Sequence, residues 1–393
     1  MHYRKFVADH LFTGRRMLDD QYALIARSDG EIEGIIEKKD AGEDIETYKG
    51  ILSPGWINCH CHLELSHLKG IIPEHTGMTH FLLSVMSRRN IALPRIMEAI
   101  EEAERQMVNA GIVAVGDICN TPHTLSQKSK GNLVYHNFVE TMGFQDALAD
   151  NRFEQALQLY KTFAGMPVSI APHAPYSVSR SLLALINDYP GNEILTIHNQ
   201  ESEEENVFFR SGGGAFPELF GALGIDISGF HPSGKSSLQT CLPSFEKKDS
   251  SLILVHNVAT SAEDLQWTAH YRLRYPLPEL YWCLCPGANQ YIQGRLPDID
   301  LLLSNGCKLT LGSDSLASNH RLDILEELKT IQRHFPHITL ADLLQWATLN
   351  GAEALHIQDR FGSFDPGKSP GILLIEEAEN QRLSEHTRSR RLL

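Results

Sequence analysis

The sequence predicts an α/β protein: a (β/α)8 TIM barrel with a small β-sandwich domain formed by the N- and C-terminal segments. Three observations carry this expectation. From about residue 51 onward, short and nearly all-apolar runs alternate with longer amphipathic stretches, as in a parallel sheet covered on its faces. There are eight such runs, which suits a closed barrel better than an open sheet. The two ends of the chain read instead as strands and turns. This places residues 1–52 and 360–393 in the small domain and 53–359 in the barrel.

The N-terminal segment offers "RKFVADHLF" and "QYALIARSDGEIEGIIE", the second with an Asp-Gly hairpin signal at its centre. The eight barrel strands are expected at "GWINCHC", "GIVAVGDI", "LVYHNFVE", "VSIAPHAP", "EILTIHNQ", "LILVHNV", "LYWCLCP" and "KLTLGSD". Between them lie amphipathic stretches such as "LPRIMEAIEEAERQMVNAG", "NRFEQALQLYKTFAG" and "SAEDLQWTAHYRL". "LDILEELKTIQRHF" and "LADLLQWATLNGAEAL" add helices, and "FGSFDPGKSPGILLIE" returns to turn and strand chemistry.

Composition limits the partners. The 393 residues are 42% hydrophobic and 21% charged, which can supply a large core. A formal net charge of −14 opposes phosphate backbones, so nucleic acid is not expected as a partner. No uninterrupted apolar run approaches a membrane span, and the start carries no secretory pattern, so no membrane partner is expected. Seven cysteines without paired spacing fit a reducing cytoplasm, the expected location. A small-molecule substrate is the expected partner, and a homodimer is left open.

In a TIM barrel the chemistry lies at the C-terminal ends of the strands. Those ends carry His60 and His62 on the first run, His198 on the fifth, His256 on the sixth and Asp314 on the eighth. Such side chains suit a borderline cation, Zn²⁺ or Fe²⁺. Alternation along a strand sends His60 and His62 to the same face, into the mouth. Cys59 and Cys61 then point outward, as buried packing residues. Glu201, three residues after His198, can reach a metal-activated water without being a ligand, which suits a general acid/base. The carboxylates Glu203 to Glu205 read as a helix start. Glu64, on the same strand face as the two histidines, either hydrogen-bonds substrate or anchors a loop. His67 is expected to be structural.

Two motif matches fail on context. "GFHPSGKS" fits a P-loop letter for letter but lies between runs five and six, with Pro243 interrupting any following helix. His62-Leu-Glu64 fits H-x-E of small zinc deaminases, but no P-C-x-x-C accompanies it. The connection over residues 212–238 is long and glycine-rich. Part of it is expected to cover the mouth, with Lys235 or Ser236 on the distal tail of the substrate.

"PGWINCHCHLELS", "APHAPYSVS", "IHNQESEE", "LVHNV", "CPGANQYI", "LGSDSLASN" and "NGAEALHIQDRFGSFDPGKSPG" together resemble the amidohydrolase superfamily. They are most similar to the branch containing S-adenosylhomocysteine deaminases, cytosine deaminases, triazine chlorohydrolases and aminodeoxyfutalosine deaminases. The resemblance implies one divalent metal ion, Zn²⁺ first and Fe²⁺ second, held by His60, His62, His198 and Asp314. It implies proton transfer by Glu201, with Asp314 sharing the proton of water, and orientation of the attacking water by His256. His173 becomes a substrate contact. Metal-activated water would attack the amino-bearing ring carbon of an aminopurine nucleoside and release ammonia. Aminodeoxyfutalosine is the preferred substrate, with S-adenosylhomocysteine and adenosine-like molecules beside it. Two departures stand out. The usual "PGKxADL" ending is "PGKSPGI", and no lysine ends run four, which favours a mononuclear site. The rival readings are action on another ring (cytosine, guanine or triazine dechlorination) and a non-catalytic scaffold.

Overall fold

A computed structural model describes residues 2–245 and 250–393. Each of the eight apolar runs forms a strand: β1 Trp56–Cys61, β2 Ile112–Cys119, β3 Val134–Thr141, β4 Val168–Pro172, β5 Ile194–Asn199, β6 Ser251–His256, β7 Glu279–Leu284 and β8 Lys308–Leu311. They pair in parallel as two four-stranded sheets, β1 to β4 and β5 to β8. Side chains on both faces of β1, β2, β5 and β6 are buried, which is why these strands read as continuous apolar runs.

Backbone hydrogen bonds at both seams join the sheets into a barrel. Between β4 and β5, the His198 amide donates to the His173 carbonyl at 2.9 Å. The Asn192 side chain also bonds the Ile170 amide and carbonyl, at 2.8 and 3.0 Å. Between β8 and β1, the amides of Ser313 and Asp314 both donate to the His60 carbonyl, at 3.1 and 3.0 Å. Gly312 is required at this seam, because a Cβ there would lie 2.7 Å from the Cβ of His60.

The chain ends build two further sheets. One contains Tyr3–Val7, Tyr22–Arg27, Ile32–Glu37 and Ile45–Thr47. The other joins Arg388–Arg391 and Ile372–Glu376 to Ile51–Pro54, His10–Phe12 and Met17–Asp19. The Asp-Gly signal is a hairpin: Tyr22–Arg27 pairs antiparallel with Ile32–Glu37, and Gly30 takes the positive φ that the turn needs. Phe6, Leu11, Leu24, Phe364 and Leu374 are buried together there, so both ends of the chain share one core.

The amphipathic stretches form helices at Leu93–Asn109, Ala149–Thr162 and Ala262–Arg272, the last opened by a Ser261–Asp264 capping box. Two segments differ from expectation. The long 212–238 connection contains helices Phe216–Ala222 and Ser237–Cys241. The strand carrying His60 ends at Cys61, and Leu63–Leu68 turn into a 3-10 helix, so Glu64 does not follow the strand's alternation. Among the described residues no helix is long and apolar enough to cross a membrane.

Candidate metal centre and active site

The barrel's C-terminal mouth brings His60, His62, His198, His256 and Asp314 together, all buried. The Nε2 of His62 lies 3.2 Å from Nε2 of His60 and 3.3 Å from Nε2 of His198. Asp314 Oδ1 lies 3.5 Å from His60 Nε2 and 3.4 Å from His62 Nε2. Ligand atoms around a tetrahedral ion at about 2.0–2.1 Å stand about 3.3–3.4 Å apart, so these separations fit one small divalent ion. The protonation states fit as well. Burial drives the His60 pKa well below its usual value and His62 down to about 3, so both keep lone pairs for a cation. Burial raises the Asp314 carboxyl, but His62, His256 and the Ser318 hydroxyl outweigh it and leave the pKa below the usual value. The hydroxyl of Ser318 donates to Asp314 Oδ2 at 2.6 Å. His198 Nδ1 lies 2.7 Å from the His173 carbonyl and donates to it, which leaves Nε2 unprotonated toward the cluster.

Glu201 and His256 stand beside this cluster. Burial, then Asp314 and Glu205, push the Glu201 carboxyl well above its ordinary pKa. Its backbone is fixed from two sides. Glu205 accepts from the amides of Gln200 and Glu201 at 3.0 and 3.4 Å, and Gln293 Nε2 donates to the Glu201 carbonyl at 2.6 Å. Asn289 Nδ2 donates to His256 Nδ1 at 3.0 Å, so the proton of the neutral imidazole sits on Nε2. Gln200, His256, Asn257 and Asp314 all have positive φ without being glycine. That concentration of backbone strain at the strand ends is typical of a site whose side-chain directions matter.

A protein-family comparison matches residues 51–390 to the Amidohydrolase family. The chain belongs to the amidohydrolase family. Among curated relatives of this amidohydrolase, an adenosine deaminase of Helicobacter pylori is 26% identical over 319 residues, 79% of this chain and 75% of the relative. An aminodeoxyfutalosine deaminase of Nitratiruptor is 25% identical over 362 residues, covering 88% and 84%. Among solved structures, Helicobacter pylori aminofutalosine deaminase in complex with methylthio-coformycin superimposes with a TM-score of 0.81 at 21% identity. That match covers 99% of this chain and 100% of the other, and establishes a shared fold.

The mouth of the amidohydrolase barrel opens into a cavity of about 570 Å³ that touches His62, His198, Glu201, His256 and Asp314. His173 lines it too, with Nδ1 2.8 Å from the Ser177 hydroxyl. Its outer part is apolar: Phe81, Met86, Met142, Phe144, Leu148 and Phe220 line it. Arg89 and Arg152 add positive charge. A larger open groove, about 1080 Å³, runs past Lys69 and Arg95 and contains none of the cluster residues.

Several expected positions come out differently. Glu64 does not line the cavity. Its buried carboxylate accepts from Arg89, the amides of Asn120 and Thr121, and the Thr121 hydroxyl, at 2.8–3.1 Å, so it anchors a loop. Lys235 is exposed and is not among the cavity-lining residues. Ser236 caps the helix Ser237–Cys241 and bonds Asp264 at 2.5 Å, which turns the preceding lysine outward. From the same connection, Leu219, Phe220 and Leu223 to Asp226 do reach the cavity. His67 faces the Arg89 carbonyl at 2.9 Å, in a structural contact. Cys61 is buried in the packing outside the barrel lumen, as expected, but Cys59 is not: it packs with the lumen-facing Ile57, Phe138 and Cys283, because the register of β1 on β2 shifts between Asn58 and Cys61. Sequence reasoning missed Arg89, Asn120 and Glu140. Glu140 carried the same signal as the histidines, a polar side chain ending an apolar run. Arg89 carried none, because the fold alone brings the end of helix Met78–Arg88 to the mouth.

Proposed function

We propose that this amidohydrolase is a metal-dependent deaminase of 6-aminopurine nucleosides extended by an apolar group at the 5′ side. The observation that carries the reading is the pairing of a four-donor cluster with Glu201 and the Nε2–H of His256, 3.5 Å apart in the same cavity. His60, His62, His198 and Asp314 would hold one Zn²⁺ or Fe²⁺. Bound there, the ion would supply Lewis-acid activation of water. Glu201 takes the proton of water and delivers it to the ring nitrogen beside the amino-bearing carbon. Asp314 shares the proton, and His256 donates from Nε2 to the attacking oxygen. Glu201 and Asp314 then carry the hydroxyl proton of the adduct to the amine, which leaves as ammonia as the ring becomes a lactam, so that water and aminopurine balance ammonia and product. His173 contacts the purine.

The names of the relatives, adenosine and aminodeoxyfutalosine deaminases, support the nucleoside. The apolar wing supports the extension. Met86, Met142 and Leu148 are among the large apolar side chains left exposed, at 47%, 37% and 40%, and all three line this cavity. Exposed apolar surface in a cleft is a binding surface. With Arg152 on its wall, and Arg89 already paired with Glu64, the cavity suits an aromatic acid tail, which makes aminodeoxyfutalosine the preferred substrate. Ammonia release from adenosine, methylthioadenosine, S-adenosylhomocysteine, aminodeoxyfutalosine, guanine and cytosine tests the reading. The extended nucleosides should lead; activity confined to cytosine would overturn it.

A further inference from the structure

Glu140 ends β3 in the wall of the cavity, its side chain 4% exposed. One carboxylate oxygen is satisfied: Asn120 Nδ2 donates to Oε2 at 3.0 Å. The other, Oε1, is buried without a hydrogen-bond partner. The His198 Nδ1 lies 3.7 Å from Oε1 but gives its proton to the His173 carbonyl at 2.7 Å. A buried carboxylate oxygen in a ligand cavity calls for a donor, and none of the described residues supplies one. The wall around it is held rigidly, because the amide of the same Asn120 is bound to Glu64, which also holds Arg89.

A ligand in the cavity can supply that donor, and the position of Glu140 narrows the choice. Metal-type ligands come from β1, β5 and the turn after β8, and the proton carriers follow β5 and end β6. Glu140 lies on β3, with β4 and His173 between it and β5. A ring carbon reacting at the cluster turns its amino edge toward Glu201, so Glu140 faces the rest of the molecule. There a neutral purine offers only acceptor nitrogens, whereas the sugar offers hydroxyl donors. Resting on the nucleoside reading above, we infer that Glu140 Oε1 accepts a hydrogen bond from a ribose hydroxyl, and that Glu140 sets the preference for ribonucleosides.

The test measures kcat/KM of the metal-loaded enzyme on an aminopurine ribonucleoside and its 2′-deoxy and 3′-deoxy forms. Wild type, Glu140→Gln and Glu140→Ala are compared, with metal content and calorimetric affinity for the lactam product determined in parallel. Wild type should disfavour one deoxy form by roughly 10- to 100-fold, the value of one hydrogen bond to a charged acceptor. Glu140→Ala should lower kcat/KM for the ribonucleoside by a similar factor, mainly through KM, and leave that deoxy form unchanged. Glu140→Gln, which keeps one acceptor oxygen, should fall between. Product affinity should follow the same order, with metal content constant. Equal losses on ribo and deoxy substrates, or an unaltered preference in Glu140→Ala, would overturn the inference and leave the deaminase reading standing. Loss of metal from Glu140→Ala would also overturn it, assigning Glu140, His173 and His198 to a cation instead, since their ligand atoms lie within 4.8 Å of one another. A wild-type enzyme that releases no ammonia from any nucleoside would bring down the function and this inference together.

Discussion

Oε1 of Glu201 lies 3.5 Å from Nε2 of His256, and both side chains are buried at the edge of the four-donor cluster. The pair comes from consecutive strand ends, β5 and β6, and hydrogen bonds to each residue set its direction. Glu201→Gln preserves size and removes only the titrating proton. It should keep metal and substrate affinity and lose about 10²–10⁴-fold in kcat, the usual share of a general acid/base. Steady-state kinetics with metal analysis checks this, and a variant within a few-fold of wild type would remove Glu201 from proton transfer.

One divalent ion per chain is the second prediction. His60→Ala removes one of the four proposed ligands, its Nε2 lying 3.2 Å from His62 Nε2 and 3.5 Å from Asp314 Oδ1, so bound metal should drop below stoichiometric. Chelation of the wild type should abolish activity and lower Tm, because an ion that binds only the folded chain stabilises it. Elemental analysis showing two ions per chain, or undiminished metal in His60→Ala, would refute the assignment.

The fold was legible because β1 to β8 are buried along most of their length, four of them entirely, and that burial writes apolar runs into the sequence. The cluster was legible because each of its members sits at the end of such a run, and His60 and His62 share a face by alternation. Glu64 fell outside this logic. The chain leaves the strand at Cys61 and turns, so a two-residue offset no longer means a shared direction. Lys235 shows a different limit. The length of a connection places it over the mouth but says nothing about which of its residues point inward. Here the helical cap at Ser236 decides against Lys235, and the helix Phe216–Ala222 sends Phe220 in instead. Arg89 is set by tertiary packing alone.

The apolar wing gives the third prediction. Met142 is 37% exposed and lines the cavity, so a charge there should disturb binding more than folding. Met142→Asp should lower kcat/KM for an apolar 5′-extended nucleoside by about 10-fold or more, since burying an unpaired carboxylate against an apolar tail is unfavourable. Adenosine should be nearly unaffected. Equal losses on both substrates would show that the wing does not hold the extension.

Glu327 ties the loop carrying Asp314 to the barrel. It accepts from the Gly287 amide and from Asn319 Nδ2, both at 2.7 Å, and Asn319 also holds the Ser313 carbonyl at 2.9 Å. Burial pushes its pKa up to about 8. A raised carboxyl means that the folded state binds the proton more tightly than the unfolded chain. Its contribution is therefore fully present below about pH 4.5 and is lost as pH rises through about 8. Glu327→Gln cannot ionise, so its Tm relative to wild type should be higher at pH 8.5 than at pH 5. Parallel thermal melts at the two values decide it, and a difference of opposite sign would show that the ionised form is the stabilised one.

The last prediction concerns a buried ion pair behind β2. Lys128 Nζ lies 2.5 Å from Asp117 Oδ2 and 2.7 Å from Asn137 Oδ1, with both members of the pair fully buried. Burial lowers the Lys128 pKa, but Asp117 and Cys119 beside it outweigh this and hold the ammonium charged. Asp117 Oδ1 also accepts from the Leu63 amide at 2.8 Å, one residue after His62, so the pair reaches the metal-binding strand. Lys128→Met would leave the Asp117 charge uncompensated and should cost about 3–5 kcal/mol. The double variant Lys128→Met, Asp117→Asn removes that stranded charge. It should be more stable than Lys128→Met alone, although Asn keeps only one acceptor oxygen for Leu63. Urea unfolding of the two variants and wild type measures both differences. A cost below about 1 kcal/mol for Lys128→Met, the level of an exposed pair, would mean that Asp117, whose pKa burial already raises, takes up a proton or meets water once the lysine is gone.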